Sequence, residues 1–373
     1  MASGSSLKDE LFNADSVGYL AGLFAATGGF DGDRFATRVM DRLPELELKA
    51  RIAWIAECLC AGLPPGLPEA VPILRAALPP PLDPTRTDDD FGRFIIAPLG
   101  EVVVALGLED QPDLSLDLLE EITQRFSMEM SIRAFLIRWP DKVLARMEHW
   151  VGHPNYHVRR LVSEGTRPKL PWAQSIGLPP DRALPLLDRL HADPTRYVTR
   201  SVANHLNDVT KIDAAMALDR IDAWRAEARQ VPKELGWMTS HALRGLVKAG
   251  DPRALALVGF DPQARITLAD FHIPATARIG DTIEIRATLE GSADAGALVD
   301  YIFWRTRSNG QLAPKVHKLK KLRLMAGAPT TVAKRHHLKG DATTYRLYPG
   351  RHRISLQVNG RILAEAEFDL LAQ

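Results

Sequence analysis

The chain has 373 residues, 46% of them hydrophobic, with 47 Lys and Arg against 46 Asp and Glu. This length favours two or three domains with ample chain for a large core. Cys58 and Cys60 are its two cysteines, too few for a disulfide framework or a zinc ribbon, which favours a reducing cytoplasm. The N-terminal residues do not follow the pattern of a secretion signal, and no apolar run approaches about eighteen residues, so we expect no membrane span.

The N-terminal part is predicted to be helical. Residues 48–63 place Ile52, Ile55, Ala56 and Leu59 at the spacing of a buried helix face. Residues 78–90 are rich in proline and aspartate, and this composition predicts a connecting loop between helices.

The most informative stretch is residues 153–172, HPNYHVRRLVSEGTRPKLPW, because its spacing recurs forty residues later. The shift aligns Asp141 with Asp181, Pro154 with Pro194, Val158 with Val198, Arg160 with Arg200 and Val162 with Val202. Each copy is predicted to begin with a helix, over 141–150 and 181–191, and to enter a second helix with proline in its first turn. Two copies of one helical hairpin predict an α-solenoid.

The second helices carry the arginines of the repeat. The spacing of a buried face is kept by Val158, Leu161 and Val162 and then by Val198, Val202 and Leu206. Arg159, Arg160 and Arg200 are therefore predicted to lie beside or opposite that face. Second helices of stacked hairpins usually line a concave surface, where arginines would face a long anionic partner. Residues 1–260 hold 30 Lys and Arg against 35 Asp and Glu. Binding of an anionic partner by these residues therefore requires that the charges are segregated by face.

The composition changes near residue 260, where short alternating runs replace the long helical segments. Residues 283–289 and 354–358 alternate as half-buried strands do, and Asn359-Gly360 is a strong hairpin signal. With the further turns Asn309-Gly310 and Pro349-Gly350, these strands predict an immunoglobulin-like β-sandwich. The predicted fold is therefore α followed by β, with a boundary between residues 258 and 259.

Residues 163–172, SEGTRPKLPW, resemble the signature of AlkC-type bacterial DNA alkylation repair glycosylases, which are relatives of AlkD built from HEAT-like repeats. Residues 46–51, 126–133, 201–208 and 241–248 resemble further blocks of that family in the same order, so the resemblance covers roughly residues 8–258. It implies a HEAT-like repeat glycosylase domain over 1–258 and an immunoglobulin-like accessory domain over 259–373.

The resemblance implies excision of cationic N-alkylated bases, 3-methyladenine and also 3-methylcytosine, from duplex DNA in base excision repair. Such a base is already a good leaving group, so catalysis would lie in a carboxylate that stabilises an oxocarbenium-like sugar. No lysine stands out as a nucleophile, so we expect a monofunctional enzyme that leaves an abasic site. We expect a cytoplasmic monomer that uses no metal and no nucleotide cofactor, and His153 and His157 lack an evident third ligand.

In this resemblance Glu129, Glu164, Trp172 and Asp208 fall on positions linked to catalysis and lesion contact. Glu164, which follows the arginine-bearing helix, and Asp208 are predicted to stabilise the sugar or position water; Glu129, on the preceding helix, is a supporting carboxylate. Trp172 is predicted to contact the lesion. The sequence around Glu129, MEMSIRAF, departs from the common SEFAIRPF. The structural alternatives are an ion pair of Glu164 with Arg160 or Arg167, inter-helix packing of Trp172 and a turn cap at Asp208.

Basic residues on or beside the second helices are the predicted phosphate contacts: Arg159, Arg160, Arg167, Lys169, Arg196, Arg200, Lys211, Arg244 and Lys248. Two basic runs of the β-domain, residues 315–323 and 334–339, are interpreted either as loops that grip the duplex or as solubilising strand edges. Two other classes stay open: a non-catalytic protein that binds damaged or bent DNA, and a protein-interaction scaffold.

Overall fold

A computed structural model describes residues 6–88, 90–342 and 345–372. The chain forms two compact units, Met1–His241 and Ala242–Gln373. The order of helices followed by strands confirms the predicted fold class: the last helix ends at Leu257 and the first strand begins at Ile266. The predicted boundary at residue 258 follows that last helix, whereas the division into compact units falls earlier in the sequence.

Most helices of the first unit are joined by short connections, with longer ones before Ala97 and before Pro180. They are α1 (Leu7–Leu11), α2 (Ala14–Ala25), α3 (Gly32–Met40), α4 (Leu48–Gly62), α5 (Leu67–Ala76), α6 (Ala97–Gly107), α7 (Pro112–Thr123), α8 (Ile132–Arg138), α9 (Pro140–Trp150), α10 (Tyr156–Gly165), α11 (Pro180–Leu190), α12 (Arg196–Val209), α13 (Ala214–Glu227) and α14 (Pro232–Ala242). Short 3-10 turns lie at Leu43–Glu45 and Phe94–Ile96. Within the described residues, no helix combines the length and the apolar character that crossing a membrane requires.

The forty-residue repeat is confirmed as two helical hairpins, α9–α10 and α11–α12, whose second helices pack against each other. The predicted buried positions of these second helices are all buried: Val158, Leu161, Val162, Val198, Val202 and Leu206. The predicted helix over 48–63 is α4, with Ile55, Ala56 and Leu59 buried and Ile52 half-buried. The proline-rich stretch from residue 78 is a connector without helix or strand among its described residues.

The position of the repeat prolines was predicted wrongly. Pro154 and Pro194 lie before the caps Asn155 and Thr195, and not inside the first helical turn. In α10 the reason is the Asn155 side chain, which accepts a hydrogen bond from His157 N–H at 2.9 Å and so caps a helix that starts at Tyr156.

The second unit begins with α15 (Arg244–Ala249) and α16 (Pro252–Leu257) and continues as strands. The strands are β1 (Ile266–His272), β2 (Thr276–Arg278), β3 (Thr282–Gly291), β4 (Ala295–Thr306), β5 (Leu312–Leu324), β6 (Thr330–His337), β7 (Gly350–Val358) and β8 (Arg361–Leu371). They form a three-stranded sheet, β1-β3-β6, and a five-stranded sheet, β2-β8-β7-β4-β5. Alternate residues of β3, among them Ile283 and Ile285, pack with Phe303 and Leu356 of the other sheet in one core.

Both basic runs lie on strands, so their interpretation as loops is wrong. Lys315, Lys318, Lys320, Lys321 and Arg323 belong to β5, and Lys334 and Arg335 belong to β6, with Lys339 just beyond it. Each strand stands last in the order of its sheet. Lysines on an outer strand discourage pairing with the strand of another molecule.

The predicted Asn359-Gly360 hairpin joins β7 to β8, with φ of 44° at Asn359 and 81° at Gly360. Asn359 is buried, and its side chain accepts from Leu298 N–H and donates to the carbonyls of Asp261 and Gly296, at 2.8–3.0 Å. Asn309, in the other Asn-Gly turn, is exposed and accepts only from Gln311 N–H among its recorded bonds, at 3.1 Å. The two turns share a motif but differ in how far they anchor the domain.

We predict that Asn359→Ala destabilises the β-domain by about 3 kcal/mol, because it leaves one buried N–H and two carbonyls without partners and puts alanine in a left-handed conformation. Differential scanning calorimetry should show a fall in Tm on the order of 10 °C or more. Asn309→Ala is the matched control, and we expect it to melt within about 2 °C of the parent. Equal melting of the two variants would contradict the anchoring role of Asn359.

Candidate active site

A cavity of about 300 Å³ opens in the helical unit. Its lining comes from α4, the connector before α6, α6 itself, the turn before α8, the second helices α10 and α12, and the loop after α10. The charged residues that line it are Lys49, Glu101, Glu129, Arg160, Glu164 and Arg167. Aromatic rings supply much of the remaining surface: Phe91, Phe94, Phe126, Trp172 and Tyr197. The cavity thus combines flat apolar surfaces with carboxylates and guanidinium groups.

Alternating acidic and basic side chains form a charge ladder that begins at the wall of this cavity and continues beyond it. In order they are Glu129, Arg160, Glu164, Arg167, Asp208 and Lys211, and the successive N–O distances are 2.7, 3.6, 2.7, 2.9 and 3.2 Å. Residues from a turn, two helices and the loop after α10 therefore depend on one another through charge. Buried ions need such partners, because an uncompensated buried charge is costly.

Glu164 is the most buried carboxylate that lines this cavity, with 5% of its surface exposed. It lies in the last turn of α10, which corrects the prediction that it follows the helix. Its Oε1 accepts from Arg167 at 2.7 Å and its Oε2 accepts from Ser201 Oγ at 2.6 Å. Burial alone would raise the pKa of Glu164, but Arg160 and Arg167 hold it below its usual value. The side chain is therefore an anion in a desolvated place.

Asp208 is joined to Glu164 only through Arg167. It lies near the end of α12, is buried, and accepts from Arg167 Nε at 2.9 Å and from Lys211 Nζ at 3.2 Å. It lines a second cavity of about 360 Å³, together with Arg133, Lys169 and Lys211. The structure therefore brings Glu129, Glu164 and Trp172 to the first cavity, whereas Asp208 faces the second.

Glu129 was predicted on a helix and lies instead on the turn between α7 and α8. The chain leaves α7 after Thr123, whose hydroxyl accepts from Met128 N–H at 3.3 Å, and α8 does not begin until Ile132. From this turn the half-buried Glu129 accepts from Arg160 at 2.7 Å. Glu129 is thus paired with Arg160, the arginine that the forty-residue shift aligns with Arg200.

Trp172 is 60% exposed, so the alternative of inter-helix packing does not describe it. It lies in a turn closed by a hydrogen bond from Ala173 N–H to the Leu170 carbonyl at 3.3 Å, with Pro171 before it. Its φ of 64° is left-handed, a conformation that costs a residue with a side chain about 1–2 kcal/mol. Proline followed by a residue of positive φ is the pattern of a type II turn, in which glycine usually takes the second place. A tryptophan there, exposed and strained, indicates a functional constraint.

Four of the five aromatic residues of the cavity were not predicted as site residues: Phe91, Phe94, Phe126 and Tyr197. The Tyr197 ring lies 4.4 Å from the Arg160 guanidinium and 5.5 Å from the Phe91 ring. Burial raises the pKa of Tyr197, so the ring stays neutral. The sequence repeat contains a signal for Tyr197, because the forty-residue shift aligns it with His157.

The predicted phosphate contacts fall into several groups. Arg160 and Arg167 line the first cavity, and Lys169 and Lys211 line the second. Three others form ion pairs inside the helical unit: Arg159 with Asp193, Arg196 with Glu234 and Arg200 with Asp88. Arg244 and Lys248 belong to α15 of the second compact unit. The structure therefore gathers four of the nine basic residues at the two cavities.

His205 lies next to this site on α12 and is fully buried. Its Nδ1 lies 3.0 Å from the carbonyl oxygen of Ser163, the residue before Glu164. Burial lowers the pKa of His205 from 6.5 to about 4, although the hydrogen bond to Ser163 opposes the shift. The neutral imidazole thus joins α12 to the turn of α10 that carries Glu164.

Stacked helical hairpins with a buried charge ladder, followed by a β-sandwich, define a two-part class of helical-repeat protein. Residues 267–372 match the family model described as the C-terminal Ig-like domain of uncharacterised protein YhaZ. The chain is 31% identical over 346 residues to YhaZ of Bacillus subtilis (strain 168), covering 91% of this chain and 92% of that protein.

A solved structure is also similar to this chain. The Pseudomonas fluorescens alkylpurine DNA glycosylase AlkC, bound to DNA containing an abasic site analog, matches with a TM-score of 0.87 and 35% identity. The match covers 99% of this chain and 100% of that one. The chain belongs to the family of AlkC and YhaZ, which confirms the resemblance seen in residues 163–172 and the predicted immunoglobulin-like domain.

We predict that His205 makes the helical unit less stable in mild acid. Its folded pKa of about 4 lies below 6.5, so the unfolded chain binds the proton first and stability is lost as pH falls from about 6.5 towards 4. Between pH 7 and pH 5 the loss from His205 alone should be about 2 kcal/mol. Urea unfolding followed by helical circular dichroism should show this difference between the parent and His205→Gln.

The exposed His149 on α9 supplies the control, because His149→Gln should keep the pH dependence of the parent. If His205→Gln loses as much stability between pH 7 and pH 5 as the parent does, the buried imidazole is not the group responsible.

Proposed function

We propose that this chain is a DNA glycosylase that removes cationic N-alkylated bases, 3-methyladenine and also 3-methylcytosine, from duplex DNA. The observation that carries the proposal is Glu164, a buried, ionised carboxylate that lines an aromatic cavity. It occurs in a chain 35% identical along its whole length to an alkylpurine DNA glycosylase. In this proposal residues 1–258 form the glycosylase domain, residues 259–373 an accessory domain, and the protein acts as a monomer.

Departure of the base needs little assistance from the protein, whereas the charge that develops on the sugar needs stabilisation. A cationic base leaves without protonation, and positive charge then develops on the sugar as the C1′–N bond lengthens. Glu164 supports this step because Arg160, Arg167 and Ser201 keep it ionised although water is excluded from it. A fixed anion in such a place stabilises developing positive charge more strongly than it would in water.

We assign Trp172 to contact with the lesion nucleotide, since its exposed indole lies at the cavity and presents a π-face to a cationic ring or its sugar. Both oxygens of Asp208 already accept from Arg167 and Lys211. We therefore propose that Asp208 acts by holding Arg167 against Glu164, and that Glu129 holds Arg160 in the same way.

Hydrolysis by water, without cleavage of the DNA strand, completes the proposal. The Lys49 ammonium at the cavity donates to the Trp172 carbonyl, which leaves it poorly placed to attack C1′ as an amine. The exposed Lys169 and Lys211 beside the second cavity are the basic residues best placed to bind phosphates. Binding to DNA should then weaken as salt rises.

We predict that Glu164→Gln lowers the rate of base release about a hundredfold, because loss of one such electrostatic contact costs about 3 kcal/mol of barrier. The measurement is single-turnover release of 3-methyladenine from methylated duplex DNA in EDTA, with spontaneous release subtracted. Asp188→Asn is the matched control, since Asp188 accepts from Arg220 and Trp224 and lies outside both cavities. A folded parent that binds methylated DNA but releases no base would favour a non-catalytic damage binder.

We also predict that the enzyme requires a cationic leaving base. Duplex DNA containing hypoxanthine, which is neutral, should be processed at least about a hundredfold more slowly than DNA containing 3-methyladenine, because the site supplies stabilisation at the sugar and not protonation of the base. Parallel single-turnover assays on the two substrates measure this ratio. Comparable rates would mean that a general acid operates in the site.

A further inference from the structure

We propose that Arg133 and Lys49 are positioning residues that hold the loop carrying Trp172 and thereby fix its indole at the cavity. The inference rests on the proposed function for its catalytic consequence. It assigns a role to two basic residues that lie on different helices, α8 and α4, and that meet the same loop.

Arg133 is 1% exposed and uses its guanidinium on backbone carbonyls. Its Nε donates to the carbonyl of Gln174 at 2.7 Å, and its Nη1 donates to the carbonyls of Gly165 and Arg167, both at 2.9 Å. These carbonyls lie on both sides of the turn that contains Trp172. One buried side chain therefore joins the end of α10 to the return of the loop.

The buried position of Arg133 disfavours its positive charge, which suggests that the guanidinium has a specific role. Burial, together with the nearby Arg167 charge, lowers the pKa of Arg133 to about 10, so the fold holds a cation in a place that disfavours cations. Its recorded hydrogen bonds go to neutral carbonyls and none to a carboxylate. A guanidinium suits this duty because its donors form a rigid fork, whereas a lysine is a single flexible point of charge.

Lys49 contacts the same loop, although it lies much earlier in the sequence. Its exposed side chain, on the first turn of α4, donates from Nζ to the carbonyl of Trp172 itself. The two helices thus hold carbonyls at Trp172 and Gln174. Because Lys49 is exposed, its replacement should not disturb the folding of α4.

The turn needs such support because its conformation is unfavourable. Trp172 has φ of 64° and a largely exposed ring, so packing of the indole contributes little to holding the turn. Without the two cations the peptide between Pro171 and Ala173 could relax to a right-handed conformation. That change would move the indole away from the lesion, and a misplacement of about 1 Å can lower a rate on the order of a hundredfold.

The experiment compares Lys49→Met, Lys49→Arg and Arg133→Lys, each in the parent and in a Trp172→Ala background. The readouts are the single-turnover rate constant for release of 3-methyladenine at saturating protein, the Kd for methylated duplex DNA, and hydrogen exchange of peptides spanning residues 165–175. Lys142→Met is the control, because Lys142 is a surface lysine of α9 that pairs with Asp113 outside the cavity.

We expect Lys49→Met to lower the rate constant about tenfold and Arg133→Lys between about tenfold and a hundredfold, with faster exchange in residues 170–174. Lys49→Arg should retain the parent rate, since it can still donate to the carbonyl. In the Trp172→Ala background each substitution should change the rate less than about twofold, because a residue that acts through Trp172 has no effect once the indole is removed.

Three results would overturn the inference: undiminished losses in the Trp172→Ala background, losses confined to Kd, or unchanged hydrogen exchange in the loop. A parent protein without base release would instead defeat the proposed function. In that case the exchange data would still decide whether Arg133 and Lys49 hold the loop.

Discussion

The bridge that Arg167 makes between two buried carboxylates is the interaction on which the rest of the site depends. Its Nη1 donates to Glu164 and its Nε to Asp208, at 2.7 and 2.9 Å. Without Arg167, Glu164 and Asp208 would each lose a cationic partner, and water could not take its place because both carboxylates are buried. Because the carboxylates lie on α10 and α12, and Arg167 begins the loop that leads to Trp172, the pairing of two helices and the course of that loop are set together.

The same bridge limits how strongly the cavity can attract a cation. Lys49, Arg160 and Arg167 balance the formal charges of Glu101, Glu129 and Glu164 around it. Net charge alone therefore cannot give the selectivity for a cationic base that the proposed function requires, and that selectivity must come from where each charge lies. Glu129 lies 2.7 Å from Arg160 and Glu164 lies 2.7 Å from Arg167, whereas Arg160 and Glu164 are 3.6 Å apart, so each carboxylate has its own nearest cation. Placement of charge, set by the ladder, is what distinguishes this cavity from an ordinary ion-pair network.

Sequence reasoning reached those features that depend on local spacing. The repeat of hydrophobic residues predicted α10 and α12, and Asn359-Gly360 predicted its hairpin, because both patterns are set by backbone geometry within a few residues. It located Glu164 and Trp172 in one motif but could not predict the left-handed turn, which depends on contacts with distant residues. Arg133 binds carbonyls 32–41 residues further along, and no local pattern predicts such a contact.

Several carboxylates of the helical unit are paired with arginines of a neighbouring hairpin. Arg182 pairs with Asp141 and Arg189 with Glu148, and the partners in each pair are 41 residues apart, which is about one repeat. Exposed pairs of this kind are worth about 0–1 kcal/mol each, so they fix the register of adjacent repeats more than they stabilise the fold. Carboxylates paired between repeats no longer repel phosphates at close range. The proposed binding of DNA is therefore compatible with an acidic domain, because Lys169 and Lys211 are exposed at its surface.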